Sequence, residues 1–168
     1  GSEMCIRDSK SPVRSRPYLH ISHAGSYGLD YGLEVGESEN LRLMNPAAAI
    51  DVVEANRDLI VGMKVRVGRY SSGDQGVAPL DIALQVAAHT GVPLMAHIDE
   101  PPPSYDDVVS RLRPGDVLTH CFRPFPNVPF TGQGKIKSCV EAARKRGVLF
   151  DVGHGMGSVS YTHLRAHE

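Results

Sequence analysis

Three side chains that can act as ligands follow one another along the middle of the 168-residue sequence: Lys64, His97 and His120. Each lies at or near the carboxyl end of a short apolar run, which reads IVGMK, VPLMAH and DVLTH in turn. Neutral imidazole is the commonest metal ligand in proteins. Burial favours the neutral amine of lysine, which can add carbon dioxide and become a carbamate anion with two oxygen donors. Together these residues could hold a divalent cation.

Spacing alone leaves other interpretations open. A single buried histidine is commonly a hydrogen-bonded core residue, and a lysine at a strand end commonly reaches solvent or an acidic partner. A neutral lysine also suits a Schiff-base enzyme, in which the amine of Lys64 would attack a carbonyl. The elements that carry the three residues decide whether their side chains can meet.

Short apolar runs alternate with helical patterns from Arg16 onward. The patterns predict five strands, at residues 18–22, 59–67, 92–98, 117–122 and 148–152. They predict four helices, at residues 46–57, 80–90, 105–112 and 135–146, and a loop at 71–76. Asn45 followed by Pro46 and Ser104 after three prolines are typical helix starts, and Gly91 is a typical helix end.

Repeated strand–helix–strand units indicate an α/β fold with a parallel sheet. A closed (β/α)8 barrel needs about 250 residues, so the sequence predicts a partial barrel. An open doubly wound sheet is the alternative, but the GxGxxG turn that usually follows its first strand does not occur in the sequence. The carboxyl ends of barrel strands meet at one mouth, where we expect Lys64, His97 and His120 to lie.

Four motifs, GMKVR, MAHIDEPP, LTHCF and DVGHG, occur in that order and together resemble the amidohydrolase superfamily. They most resemble its dihydroorotase-like branch, the amidohydrolase/deacetylase metallohydrolases, and the resemblance covers roughly residues 16–157. It implies a barrel with two divalent metal ions, usually zinc, bridged by a carbamylated lysine that Lys64 matches. It also implies that His97 and His120 hold the second ion, and that the five strands are the third to seventh of the barrel.

The resemblance further implies hydrolysis of an amide, cyclic amide or acyl ester by a metal-activated water, with carbon dioxide supplying the carbamate. The family's other metal site uses an HxH pair on the first strand and an aspartate after the eighth. His20 and His23 have the spacing HxxH and do not match that pair. We therefore expect at most one metal site here and an inactive fragment of an active parent. A mononuclear or non-catalytic metal-binding barrel stays open, as does the Schiff-base enzyme.

Other polar residues accompany these motifs. His154, between two glycines after the last strand, is expected to contact the substrate or stabilise an oxyanion. Arg66 could bind a substrate carboxylate, and a salt bridge inside the barrel is equally compatible with its position. Asp99 and Glu100 could be an acid/base pair, or they could simply belong to the loop that the prolines begin.

The two ends of the sequence look foreign to the barrel. Residues 1–15 and 159–168 resemble translated adapter segments of the kind found at the ends of assembled environmental sequences. We therefore expect residues 16–158 to be the barrel domain and an internal piece of a longer protein.

The amino-acid composition limits the kinds of molecule and the compartment that the protein is expected to have as its surroundings. Eighteen basic residues against nineteen acidic ones give a net charge of −1, which favours a small-molecule substrate over nucleic acid or an anionic membrane. No apolar run approaches the roughly 18–20 residues of a membrane helix. Three scattered cysteines suggest a reducing compartment, hence a cytoplasmic protein. The intact parent could form a homo-oligomer.

Overall fold

Five short strands alternate with helices in the computed structural model, which describes residues 15–23, 37–123 and 126–153. The strands are β1 (Tyr18–His20), β2 (Gly62–Val67), β3 (Leu94–Ile98), β4 (Val117–Thr119) and β5 (Leu149–Asp151). The helices are α1 (Pro46–Ala55), α2 (Arg69–Ser72), α3 (Ala78–Thr90), α4 (Tyr105–Arg111) and α5 (Ser138–Arg146). A 3₁₀ turn, Leu41–Leu43, precedes α1.

The strands form one parallel sheet in which sequence neighbours are also spatial neighbours, in the order β1-β2-β3-β4-β5. A doubly wound sheet reverses its strand order at a switch point, whereas a (β/α)8 barrel adds its strands in sequence order. The α/β fold predicted from the sequence, a sector of such a barrel, is confirmed by this order.

Side-chain alternation gives the sheet one face against the helices and another that carries the candidate ligands. Met63, Val65 and Val67 are fully buried on the helix side, where β2 packs against α3. Lys64 and Arg66 alternate with them on the opposite face and are partly exposed. In a barrel this second face lines the interior, so the polar residues of β2 are directed to the place where a barrel binds ligands.

The predicted capping residues set the helix ends. Asn45 accepts a hydrogen bond from the amide three residues ahead at 3.1 Å, and Pro46 occupies the first turn of α1. Ser104 and Asp107 form a reciprocal capping box at the start of α4. Gly91 ends α3 in the left-handed conformation. These local signals explain why the helices begin and end close to their predicted positions.

The end of the sheet opposite the mouth is anchored by Asp116, whose side chain is fully buried. Its Oδ1 accepts a hydrogen bond from the amide of Leu94 at 2.8 Å. Its Oδ2 accepts from the amide and from Nε of Arg113, at 2.7 and 3.0 Å. Its own carbonyl accepts from the amide of Leu149 at 2.9 Å. Asp116 thereby ties β3 and β5 to the turn before β4.

Boundaries differ from prediction where turns replace the expected regular structure. β2 begins at Gly62 because residues 56–59 form a turn after α1. α5 begins at Ser138, three residues later than predicted, because Phe130 and Ile136 form an isolated antiparallel bridge just before it. The first two residues of the loop predicted at 71–76 belong instead to the single turn of α2, which ends at Ser72.

Some predictions fall where the structure gives no description. The foreign segments predicted at residues 1–15 and 159–168 lie outside the described residues, apart from Ser15, and so does His154. Within the described ranges, no helix combines the length and the apolar character needed to cross a membrane.

Candidate metal centre

Adjacent strands bring the three predicted ligand residues to one face of the sheet. Lys64 is the third residue of β2, His97 the fourth of β3, and His120 directly follows β4. Lys64 lies three residues before the end of β2, which is Val67 as the sequence predicted, so it is farther from its strand end than the two histidines are from theirs. The register pairs Arg66 with His97, so the lysine side chain must span one pleat repeat, roughly 6–7 Å, to reach the level of the imidazoles.

The two imidazoles touch. The ring centroids of His97 and His120 are 4.9 Å apart, with an edge-to-face angle of 79°. Burial lowers the pKa of His97 to about 4, against the opposing effect of Asp99, and the charges of Arg66 and Lys64 lower it further. Burial also lowers the pKa of His120. Both rings are therefore neutral at pH 7 and have a lone pair available for a metal ion.

An unusual backbone conformation directs His120. Strand alternation would send it to the helix side, because its neighbour Thr119 pairs with His97 on the ligand face. Instead His120 has a φ of 56°, a left-handed conformation that costs a non-glycine residue roughly 1–3 kcal/mol. This conformation brings its ring against that of His97. Strain of this kind is typical of functional sites.

Gly153 fixes which nitrogen of His120 stays free. Its carbonyl oxygen lies 2.5 Å from Nδ1 of His120, which therefore carries the proton and leaves Nε2 as the lone-pair nitrogen. A Cβ at position 153 would stand 2.4 Å from Oγ1 of Thr119 and 2.9 Å from Nδ1 of His120. Gly153 also has a φ of 49°, so both space and conformation require glycine here.

The pKa of Lys64 is lowered, so its amine loses its proton more readily than that of an exposed lysine. Burial lowers its pKa from 10.5 to about 8, and the Arg66 guanidinium lowers it further, while Asp151 and Glu37 act in the opposite direction. The charge of Lys64 in turn contributes to the lowered pKa values of His97 and His120. The amine is therefore close enough to both imidazoles to influence their protonation, and a substantial fraction of it is neutral at mildly alkaline pH.

Arg66 takes part in a salt bridge, one of the two roles that the sequence left open. Its NH1 donates to Oε1 of Glu37 at 2.6 Å, and Nε2 of His20 lies 3.2 Å from Oε2 of the same carboxylate. Within the described ranges, Nε of Arg66 and Nε2 of His20 are buried and have no hydrogen-bond partner. The guanidinium of Arg66 is thus held by Glu37 on the same face of the sheet as Lys64.

The side chains of Asp99 and Glu100 lie in different environments, although the two residues are adjacent in the sequence. The Asp99 side chain is buried and accepts hydrogen bonds from the hydroxyl of Ser71 at 2.5 Å and the amide of Tyr70 at 3.1 Å. Glu100 is exposed and contributes its backbone carbonyl to the amide of Arg69. The two carboxylates do not share an environment, so they do not form an acid/base pair.

Sequence reasoning missed two acidic residues of the site. Glu37 follows a glycine-rich stretch without periodicity, so nothing in the pattern indicated that it lies buried beside Arg66. Asp151 accepts a hydrogen bond from Thr119 at 2.7 Å and acts on Lys64 through its charge. Its position at the end of a predicted strand, the placement used to select the histidines, was the signal that could have identified it.

The chain is similar in sequence to curated proteins that are named deacetylases. No family model matches the chain. Curated proteins named deacetylase, from Brucella anthropi and Agrobacterium fabrum, are 32% and 33% identical to it over 159 residues. Each alignment covers 95% of this chain and 38% of the relative. An Enterococcus faecalis deacetylase is 40% identical over 106 residues, which cover 62% of this chain and 29% of that protein.

The chain is also similar in fold to two solved structures of enzymes. The crystal structure of an adenine deaminase is 30% identical, with a TM-score of 0.83 over 98% of this chain and 45% of its own. That of a dihydroorotase is 27% identical, with a TM-score of 0.77 over 98% of this chain and 44% of its own. The chain therefore spans less than half the length of each protein it matches. Together these similarities support the resemblance to the amidohydrolase superfamily that the four motifs suggested.

Proposed function

We propose that this chain carries one metal site of a metal-dependent amidohydrolase, and that the longer protein containing it hydrolyses an amide, a cyclic amide or an acyl ester. The observation that carries the proposal is the meeting of two neutral imidazoles, His97 and His120, on the same face as a partly buried lysine of lowered pKa. The names of the similar proteins, deacetylase, adenine deaminase and dihydroorotase, support hydrolytic chemistry of this kind.

The donor set fits zinc only if Lys64 is chemically changed. Among the described residues, no three His, Cys, Asp or Glu side chains converge as a metal site, so the third donor must come from elsewhere. An ammonium group has no lone pair, but the neutral amine of Lys64 can add carbon dioxide and become an anionic oxygen donor. Two imidazoles with one such anion are a typical catalytic zinc set, which leaves a coordination position open.

The residues of the chain have distinct parts in the proposed site. A bound divalent ion would supply an acidified water and polarise the substrate carbonyl. His97 and His120 would hold the ion, with the tautomer of His120 already set by Gly153. Arg66, steadied by Glu37, would orient an anionic group of the substrate. The second metal site and the proton-accepting aspartate implied by the resemblance have no counterpart in these 168 residues, so we assign activity to the longer protein.

The lowered pKa of Lys64 also favours a second candidate, a Schiff-base enzyme in which the free amine attacks a carbonyl substrate. The two candidates make opposite predictions for Lys64. Borohydride reduction in the presence of a carbonyl compound would attach it covalently to a free amine, whereas a carbamylated, zinc-bound lysine resists such trapping.

Hydrolysis by the longer protein tests the proposal. We expect zinc-loaded enzyme to cleave members of a panel of N-acyl amines, cyclic amides and acyl esters, and chelation to abolish the activity. His97→Ala should lower kcat/KM at least a thousandfold, because it removes a ligand, whereas His89→Ala changes an exposed histidine of α3 and should leave it unaltered. Hydrolysis that survives both chelation and His97→Ala would overturn the assignment.

A further inference from the structure

The carboxylate of Asp99 lies against the buried edge of the His97 ring. The shortest distance, from Oδ2 to Nε2, is 3.8 Å, which is an electrostatic contact rather than a hydrogen bond. Asp99 is 3% exposed, and Nε2 of His97 is buried and has no hydrogen-bond partner among the residues that the structure describes. A buried N–H that lacks an acceptor costs roughly 1–3 kcal/mol, and the nearby carboxylate of Asp99 offsets part of that cost by its charge when Nε2 carries the proton.

The segment after β2, which contains the single turn of α2, holds the Asp99 carboxylate in place. The Ser71 hydroxyl donates to Oδ2 and the Tyr70 amide donates to Oδ1, so each oxygen of Asp99 has a fixed partner. Gly68 makes room for it, because a Cβ at that position would lie 2.0 Å from Oδ1 of Asp99. With a φ of 135°, Gly68 also has a backbone conformation that side chains rarely adopt. Gly68 and two residues of α2 thus position a single carboxylate.

A fixed carboxylate beside one ring nitrogen selects the tautomer of a histidine. With Asp99 facing Nε2, the proton of His97 belongs on Nε2 and the lone pair on Nδ1. His120 is set in the opposite sense, with its proton on Nδ1 through Gly153. The two touching rings therefore have separate partners that determine which nitrogen each can offer.

We propose that Asp99 is the positioning residue of the metal centre, holding His97 through Nε2 so that Nδ1 is the nitrogen presented to the ion. This rests on the proposed function for the ion itself, but the tautomer it requires exists without metal. Asp99 is not a ligand in this account, since Ser71 and Tyr70 already engage both of its oxygens. Glu100, next in sequence, is exposed and provides a matched control of equal charge.

Long-range ¹⁵N–¹H correlation spectra of the zinc-free 168-residue chain test the tautomer directly. We expect the wild type to carry its His97 proton on Nε2. Asp99→Asn can keep the bond from the Tyr70 amide with its one oxygen and place its NH2 group where Oδ2 faces the ring, with the Ser71 hydroxyl as an acceptor. An N–H donor toward Nε2 favours a lone pair there, so the proton of His97 should move to Nδ1. Glu100→Gln should leave the wild-type pattern. A His97 ring that stays protonated on Nε2 in Asp99→Asn would overturn the proposal.

Zinc affinity, measured by competition with a chromophoric chelator in bicarbonate buffer, gives the second readout. Asp99→Asn should weaken binding by about 10- to 100-fold, the usual effect of losing such a partner, and Glu100→Gln by less than twofold. If Asp99→Asn does not fold, Ser71→Ala is the variant that tests the proposal. Zinc affinity that falls threefold or more, together with a smaller fraction of His97 rings protonated on Nε2, supports the proposal. Unchanged zinc affinity and an unchanged Nε2–H fraction overturn it. A wild type that takes up no zinc contradicts the proposed function, while the tautomer still tests Asp99.

Discussion

Lys64→Met should stabilise the metal-free chain, because burial of a charged amine destabilises the fold. Each unit of pKa corresponds to about 1.4 kcal/mol of differential interaction. A pKa that falls from 10.5 to about 8 on folding therefore corresponds to a penalty on the order of 3 kcal/mol when the amine is charged. Methionine has a similar shape and no charge, so the substitution should raise the free energy of unfolding at pH 7 by up to that amount.

The gain must depend on pH in a defined direction. Above pH 10.5 the amine is neutral in both the folded and the unfolded chain, and the penalty is absent. As the pH falls toward 8, the unfolded chain binds a proton that the folded chain resists, and stability is lost. Below pH 8 the loss is complete. The advantage of Lys64→Met should therefore be full at pH 7 and vanish near pH 10.5.

Urea denaturation followed by circular dichroism measures this difference, with chelator present and carbon dioxide excluded so that Lys64 remains a free amine. Lys135→Met, at an exposed position, is the matched control and should change stability by less than about 0.5 kcal/mol at either pH. A Lys64→Met variant that is less stable than wild type at pH 7, or equally favoured at pH 10.5, would refute the reasoning.

Two other substitutions test residues that hold the site in place, Gly153 beside His120 and Asp116 at the opposite end of the sheet. Gly153→Ala should weaken zinc binding at least tenfold in chelator competition, because its Cβ would displace Thr119 or the ring of His120; unchanged affinity would show that the Gly153 carbonyl does not orient that ring. Asp116→Ala should lower the free energy of unfolding by about 3 kcal/mol, since it leaves buried amides without acceptors. Asp74→Ala, on an exposed turn, is its control, and equal urea midpoints for the two variants would contradict the anchoring role.

Local sequence signals predicted much of the fold because they act over a few residues. Asn45 and Ser104 cap helices through their own side chains, and Gly91 ends one through its backbone, so each announces a boundary without tertiary information. The strand order followed from repeated βα units. The strand containing Lys64 was predicted to begin three residues too early, at residue 59, because hydrophobicity does not distinguish the turn before a strand from the strand itself. Its other end, at Val67, was predicted correctly.

The site was predictable only in part. His97 and His120 could be found because parallel strands bring their carboxyl ends together. The left-handed backbone of His120 and the role of the Gly153 carbonyl could not, since they depend on a contact across 33 residues. Glu37 was missed for the same reason, because its partners His20 and Arg66 lie on different strands. Long-range pairing of this kind leaves no periodic trace in the sequence.

Zinc analysis of the purified chain tests the central claim most directly. In neutral bicarbonate buffer we predict one zinc per chain, weaker binding when carbon dioxide is removed, and loss of the ion in Lys64→Met and His120→Ala but not in His89→Ala. The loss follows because each of the first two variants removes one of three donors. A chain that binds no zinc, or that retains it undiminished in Lys64→Met, would contradict the account.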